Sequence, residues 1–165
     1  MTDPLRKWPV EWRTFADPIS GATIRQLTHY KCHNNHLYFT NPGWYAGDAK
    51  LMFISDRENR TNLFGVDLES GEIEQLTDLS GQLGAANGVS ISPAQDRASF
   101  WYDDQLWLLD LATGELTSLY APPSGYCSGS TNFTADGKYV CTFHYEDFSD
   151  RYRMDLGHGY VGFRE

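Results

Sequence analysis

The chain has 165 residues, enough for one domain with its own core and a squeeze for two. Its 13 Lys and Arg against 22 Asp and Glu leave a net charge of −9, which repels a phosphate backbone or an anionic membrane surface. Nucleic acid and membrane are thus set aside as partners, while a local cluster of cations can still receive a small acidic ligand at short range.

Met1 to Trp8 carries charge with no apolar stretch behind it, so no secretory signal is read and the expected location is cytoplasmic. Segment 20–28 reads as an outer strand whose companion strands are not upstream. Segments 36–40, 51–55, 62–68 and 72–77 read as the four strands of one unit, joined by short turns. Apolar runs such as Leu51-Met52-Phe53-Ile54 fall far short of the roughly 20 residues a membrane helix needs. Cys32, Cys127 and Cys141 are odd in number and form no Cys-x-x-Cys pair, so they read as reduced, partly buried small hydrophobes. Phe100, Trp101, Trp107 and Trp44 read as packing residues.

A repeat runs through these elements. Val66-Asp67-Leu68-Glu69-Ser70-Gly71-Glu72-Ile73 recurs as Leu109-Asp110-Leu111-Ala112-Thr113-Gly114-Glu115-Leu116, the two glycines being 43 positions apart. A second anchor, a tight turn leading into an apolar strand, recurs at Gly47-Asp48-Ala49-Lys50, Gln95-Asp96-Arg97 and Ala135-Asp136-Gly137-Lys138. Two anchors at a period of roughly 40 to 47 residues match the four-stranded blade of a β-propeller. A β-sandwich also repeats strands, at shorter intervals, and does not predict paired anchors at this spacing. The fold expected is all-β, a β-propeller with about three blades present. Its parts are a closing strand near 20–28, blades near 36–77 and 87–119, and an incomplete blade near 127–165. Closed propellers usually have four to eight blades, so the chain reads as the N-terminal part of a larger ring, and its open edges predict self-association of the isolated piece.

Three segments carry a more specific likeness. They are Trp12-Arg13-Thr14-Phe15-Ala16-Asp17-Pro18-Ile19-Ser20-Gly21, Cys32-His33-Asn34-Asn35-His36-Leu37-Tyr38-Phe39-Thr40, and Ile54-Ser55-Asp56-Arg57-Glu58-Asn59-Arg60-Thr61-Asn62-Leu63-Phe64. With the tail from Tyr145 to Tyr160, they resemble the opening of the oligogalacturonate lyases. That resemblance implies a cytoplasmic seven-bladed propeller that cleaves short galacturonate oligomers by β-elimination in pectin breakdown, with a divalent metal, usually manganese. The family's catalytic His and metal ligands belong to later blades, so the resemblance places no catalytic or metal-binding residue in this chain and expects both beyond Glu165. The partner it implies is a small acidic oligosaccharide.

Substrate-facing candidates come from the residues themselves. His33 and His36 are three apart, which on a strand puts them on opposite faces and prevents both from ligating one metal. With Asn35 they read either as polar groups near a propeller axis or as loop residues that satisfy turn backbone. Arg57 and Arg60 flank a tight connection, where an Arg fork matches a uronate carboxylate; a solvated hairpin end is the plainer reading. Arg151, Arg153, His158 and Tyr160 sit in a charged, aromatic-rich excursion suited to an acidic sugar, though a self-paired surface loop accounts for the same residues. A non-catalytic propeller of the Tol type, or one associated with peptidases, shares the Asp-Leu-x-Ser/Thr-Gly-Glu-Ile-x-Gln-Leu-Thr repeat and binds proteins or peptides. The repeat alone does not separate it from a lyase.

Overall fold

In the computed structural model, residues 6–80, 83 and 88–146 are described in full, and Tyr152–Asp155 and Tyr160–Phe163 by backbone pairing alone. The chain opens with β1 (Lys7–Trp8), β2 (Arg13–Ala16) and β3 (Thr23–Gln26), followed by β4 (Asn34–His36), β5 (Trp44–Tyr45) and β6 (Lys50–Ser55). A single 3-10 turn at Arg57–Asn59 leads to β7 (Asn62–Asp67) and β8 (Ile73–Gln75). The next group is β9 (Val89–Ile91), β10 (Arg97–Tyr102), β11 (Gln105–Asp110) and β12 (Leu116–Tyr120). Last come β13 (Tyr126–Phe133), β14 (Val140–Glu146), β15 (Tyr152–Asp155) and β16 (Tyr160–Phe163).

These strands form antiparallel sheets in the β-propeller manner. The first blade has the order β1-β8-β7-β6-β4, with β5 also on β6; the second is β12-β11-β10-β9; the third begins with β13-β14, and β15 pairs with β16. Three sequence expectations are corrected here. The first inner strand is Asn34–His36 rather than 36–40, because Tyr38 to Asn41 closes a turn in which the Asn41 N–H donates to the Tyr38 carbonyl at 2.7 Å. Segment 20–28 does have a companion upstream, since β3 pairs with β2 as a two-stranded hairpin. Trp44 is 42% exposed, whereas Phe100 and Trp101 are buried as expected.

Each hairpin turn of the repeat is built by one aspartate. Asp67 Oδ1 accepts from the N–H groups of Glu69 and Ser70, and the Gly71 N–H donates to the Asp67 carbonyl at 2.9 Å. Asp110 does the same for Ala112, Thr113 and Gly114. Asp17 makes a third copy with Ser20 and Gly21. Gly71 and Gly114 sit at φ of 77° and 73°, a region other L-residues occupy only with strain, which is why the motif ends in glycine. The second anchor forms turns at the other end of each hairpin sequence. They interlock from blade to blade, with the Asp48 N–H donating to Gln95 Oε1 at 2.8 Å, Gln95 Nε2 to Asp48 Oδ1 at 2.6 Å, and Arg97 Nη2 to the Gly137 carbonyl.

The first blade is buried on both faces, because strand alternation sends Met52, Ile54 and Leu63 to one side and Phe53, Phe64 and Val66 to the other. The first set packs with Val89, Ala98, Phe100 and Leu109 of the second blade as one core. The second set packs with Trp8, Ile73 and Leu27, so the N-terminal segment covers the outer face of blade one. Polar inner strands bridge the blades where apolar packing gives out. The buried Asn41 Nδ2 donates to the Val89 carbonyl at 2.8 Å, and Ser90 Oγ donates to Asn132 Oδ1 at 2.8 Å.

Gly65 lets the Tyr45 phenol cross β7, where any Cβ would overlap the Tyr45 hydroxyl. That hydroxyl donates to Glu74 Oε1 at 2.9 Å, and burial pushes it far above the ordinary phenol range. We expect Gly65→Ala to lower stability by about 1–3 kcal/mol in urea titration, the usual cost of overpacking. In acid, the turn carboxylates of Asp67 and Asp110 matter. Backbone hydrogen bonds from Ser70 and Thr113 hold them below the usual carboxylate value. Their contribution is complete above about pH 4, the unfolded value, and is lost as pH falls through the lower folded value. Asp67→Asn and Asp110→Asn should each flatten the acid limb of the stability curve.

Candidate functional site

The entry to each inner strand and the hairpin between the second and third strands lie at one end of a sheet, opposite the interlocked turns. The registers Asn34↔Ser55 and Val89↔Phe100 fix this in the first two blades, and Ser128↔His144 sets the entry to the inner strand of the third at the end of β14. Blade one brings His33, Asp56 and the Arg57–Asn59 turn to this end; blade two brings Asp103 and Asp104; blade three brings Tyr126 and His144. Backbone at positive φ collects here too, at Glu58 and Asn59 and at Asp103 and Asp104, the latter two forming the two-residue connection between β10 and β11.

His33 and Asp56 form a dyad. The register of β4 on β6 sets them opposite each other, with the His33 N–H donating to Asp56 Oδ1 at 2.7 Å and Nδ1 lying 2.7 Å from Oδ2. A carboxylate against Nδ1 assigns the proton to that nitrogen and turns Nε2 outward. The imidazole is 88% exposed. Hydrogen bonds from the His33 side chain and backbone hold the Asp56 carboxyl below its ordinary range.

Arg57 corrects both expectations for it, since it is neither an open carboxylate fork nor a solvated hairpin end. Its side chain is fully buried. Nη1 donates to Glu11 Oε1 at 2.6 Å and Nη2 to Oε2 at 3.1 Å, while Nε reaches Ser55 Oγ and Nη2 reaches Asn34 Oδ1. The rings of Trp8, Phe64, Tyr30 and Phe53 surround the guanidinium at 5.2–5.5 Å. Glu11 Oε2 also accepts from the N–H groups of His29 and Tyr30, so the pair ties residues 6–30 onto blade one.

The remaining candidates separate. Asn35 and His36 line a pocket of about 130 Å³ with Leu27, Phe53 and Val66, and His36 Nδ1 lies 2.9 Å from the Leu37 carbonyl. His33 and His36 thus have different partners. Arg60 is half exposed and pairs with Asp78 at 3.1 Å. Arg153 lies on β15 opposite Gly162, and Tyr160 on β16 opposite Asp155. Arg151 and His158 lie outside the described residues.

Sequence reading missed Asp56 and Glu11 as partners, and missed a cluster in which Tyr120 Oη and His144 Nδ1 are 2.8 Å apart with the Tyr126 ring edge-on to His144. A cleft of about 400 Å³ opens between the Tyr38 to Asn41 turn and the inner strands of blade three, lined by polar groups such as Asn41, Thr131 and Asn132. Among the described residues, no three His, Cys, Asp or Glu side chains converge as a metal site.

The architecture is that of a β-propeller, shared by lyases and by Tol-type proteins alike. No family model matches the chain. Its sequence is 27% identical over 132 residues to the oligogalacturonate lyase of Dickeya dadantii, covering 76% of this chain and 32% of that protein. An oligogalacturonate lyase solved in complex with manganese superposes with a TM-score of 0.78 at 24% identity, over 86% of this chain and 38% of that one. TolB from Acinetobacter baumannii superposes with a TM-score of 0.57 at 21% identity, over 92% of this chain and 37% of that one. The chain therefore resembles the oligogalacturonate lyases in sequence as well as fold, and spans about a third of the length of the curated relatives it matches.

Removing either partner of the Arg57–Glu11 pair strands a buried charge, a loss of about 3–5 kcal/mol. Glu11→Gln and Arg57→Met should each destabilise on that scale by denaturant titration, and the double variant by less than the sum. Arg57→Lys should not rescue, because an ammonium cannot make the planar two-point contact.

Proposed function

We propose that the chain is the N-terminal portion of an oligogalacturonate lyase that cleaves short galacturonate oligomers by metal-assisted β-elimination in pectin breakdown. The likeness in sequence to proteins of that name carries the reading. In such a cleavage the C5 proton leaves, the C4–O4 bond breaks and a C4–C5 double bond forms, which requires the neighbouring carboxylate to be held and its charge offset. Among the described residues no ligand set for a divalent cation converges, the cation being manganese in the solved relative, and we assign to these residues the binding and orienting of the acidic sugar. The exposed His33 with Asp56 and the polar inner-strand cleft are the groups suited to it. We place the protein in the cytoplasm, where its three cysteine thiols remain reduced. A Tol-type binding propeller is the second reading, weakened by the lower superposition of TolB.

The test is the ultraviolet absorbance of the conjugated double bond when digalacturonate and manganese are added to the protein encoded by the complete gene. We expect a rise that a chelator abolishes, and no rise from the 165-residue chain by itself. A complete protein that yields no chromophore while retaining protein partners would favour the Tol-type reading.

A further inference from the structure

Every arginine at the His33 end of blade one is already committed to a carboxylate. Arg6 grips Glu58 through two hydrogen bonds of 2.7 and 2.8 Å, Arg57 grips Glu11, and Arg60 pairs with Asp78. These pairs cancel, so the surface that the sequence marked as an arginine fork for a uronate offers that anion little net attraction. His33 is different, because its partner Asp56 holds Nδ1 and leaves Nε2 in solvent.

We propose that His33, oriented by Asp56, is a pH-gated contact for a uronate carboxylate, which it receives through Nε2–H in the imidazolium form; this rests on the oligogalacturonate reading above. Asp56 is the positioning residue, holding the ring through Nδ1 so that Nε2 faces solvent. The charged and titratable groups around the dyad among the described residues are few. Lys31 and Cys32 precede it in the chain, with Lys31 adding positive charge on a flexible stem. Glu58 and Arg60 follow Asp56 on the turn and are paired with Arg6 and Asp78, while Arg57 and Glu11 lie paired beneath. An imidazole is the side chain whose ordinary range of charge change spans about pH 5 to 8, and the Cys32 thiol beside the dyad is part-buried against Asn34 Oδ1 at 3.5 Å and Ser55 Oγ at 3.2 Å. A galacturonate carboxyl stays ionised throughout that interval, so proton uptake on binding belongs to the imidazole.

The test follows the His33 Cε1–H resonance by NMR from about pH 5 to about pH 8, the range over which imidazole changes charge. In the protein encoded by the complete gene it is assigned by its loss in His33→Gln, with the remaining histidine resonances reporting that the variant is folded. Saturating digalacturonate should raise the His33 midpoint by about one pH unit, and affinity measured by calorimetry should be about tenfold tighter at the acid end than at the alkaline end. The dimethyl ester, with the same rings and no charge, should do neither. Asp56→Asn should weaken binding by releasing the ring from its fixed orientation, and His33→Gln should abolish the pH dependence. Saturable binding of digalacturonate with an unmoved His33 midpoint overturns this proposal and leaves the substrate reading standing. No calorimetric binding at any pH by the protein encoded by the complete gene, with manganese present, overturns the substrate reading and this proposal with it.

Discussion

The buried guanidinium of Arg57 holds the candidate end of the molecule together. It sits under the turn that follows β6, ringed by Trp8, Tyr30, Phe53 and Phe64, with its charge met by Glu11. Desolvating such a charge is costly, and only a bidentate carboxylate with further hydrogen bonds offsets it. The geometry is therefore demanding. Glu11 must arrive from the N-terminal segment in one position, and in doing so it captures the N–H groups of His29 and Tyr30. Residues 29–33 are thereby set at the sheet end, next to the strand that aligns His33 with Asp56.

What was legible in the sequence follows from the range of each interaction. The Asp-x-x-Ser/Thr-Gly turn was readable because its hydrogen bonds close within five residues, and three copies obey the same geometry at Asp17, Asp67 and Asp110. The strands 51–55 and 62–68 were readable because both faces of blade one are apolar and bounded by turns. The inner strand was misplaced because Tyr38, Phe39 and Thr40 are strand formers by type, yet a turn at Asn41 takes them. Arg57 was misread for the opposite reason. Its partner is 46 residues away on a segment with no regular pattern, and a charged residue beside a turn gives no local sign that it is buried. Asp56 was within reach, since pairing β4 with β6 sets it opposite His33, but only once the strand register is known.

The same reasoning explains why the repeat does not decide function. The turns, interlocks and alternating cores that define a blade are satisfied equally in a lyase and in a Tol-type propeller, so they specify the ring and say nothing of its occupant. Function resides in what is placed at one end of that frame. There the chain sets the exposed His33 against Asp56 and the Arg57–Asn59 turn over the buried Arg57.

The net charge sharpens that distinction. A chain at −9 opposes an anionic sugar at long range, so attraction must come from charges within a Debye length of the site, roughly 8–10 Å. Arginines would serve if they were free, but here they fasten the scaffold, and salt-bridged arginines are spent on structure. A histidine whose charge is conditional escapes this conflict. Left neutral, it adds nothing to the cost of folding an exposed turn; when an anion arrives, binding itself favours the proton. The carboxylate of Asp56 fixes the ring without occupying the nitrogen that meets the ligand, so orientation and attraction are assigned to different atoms of one side chain.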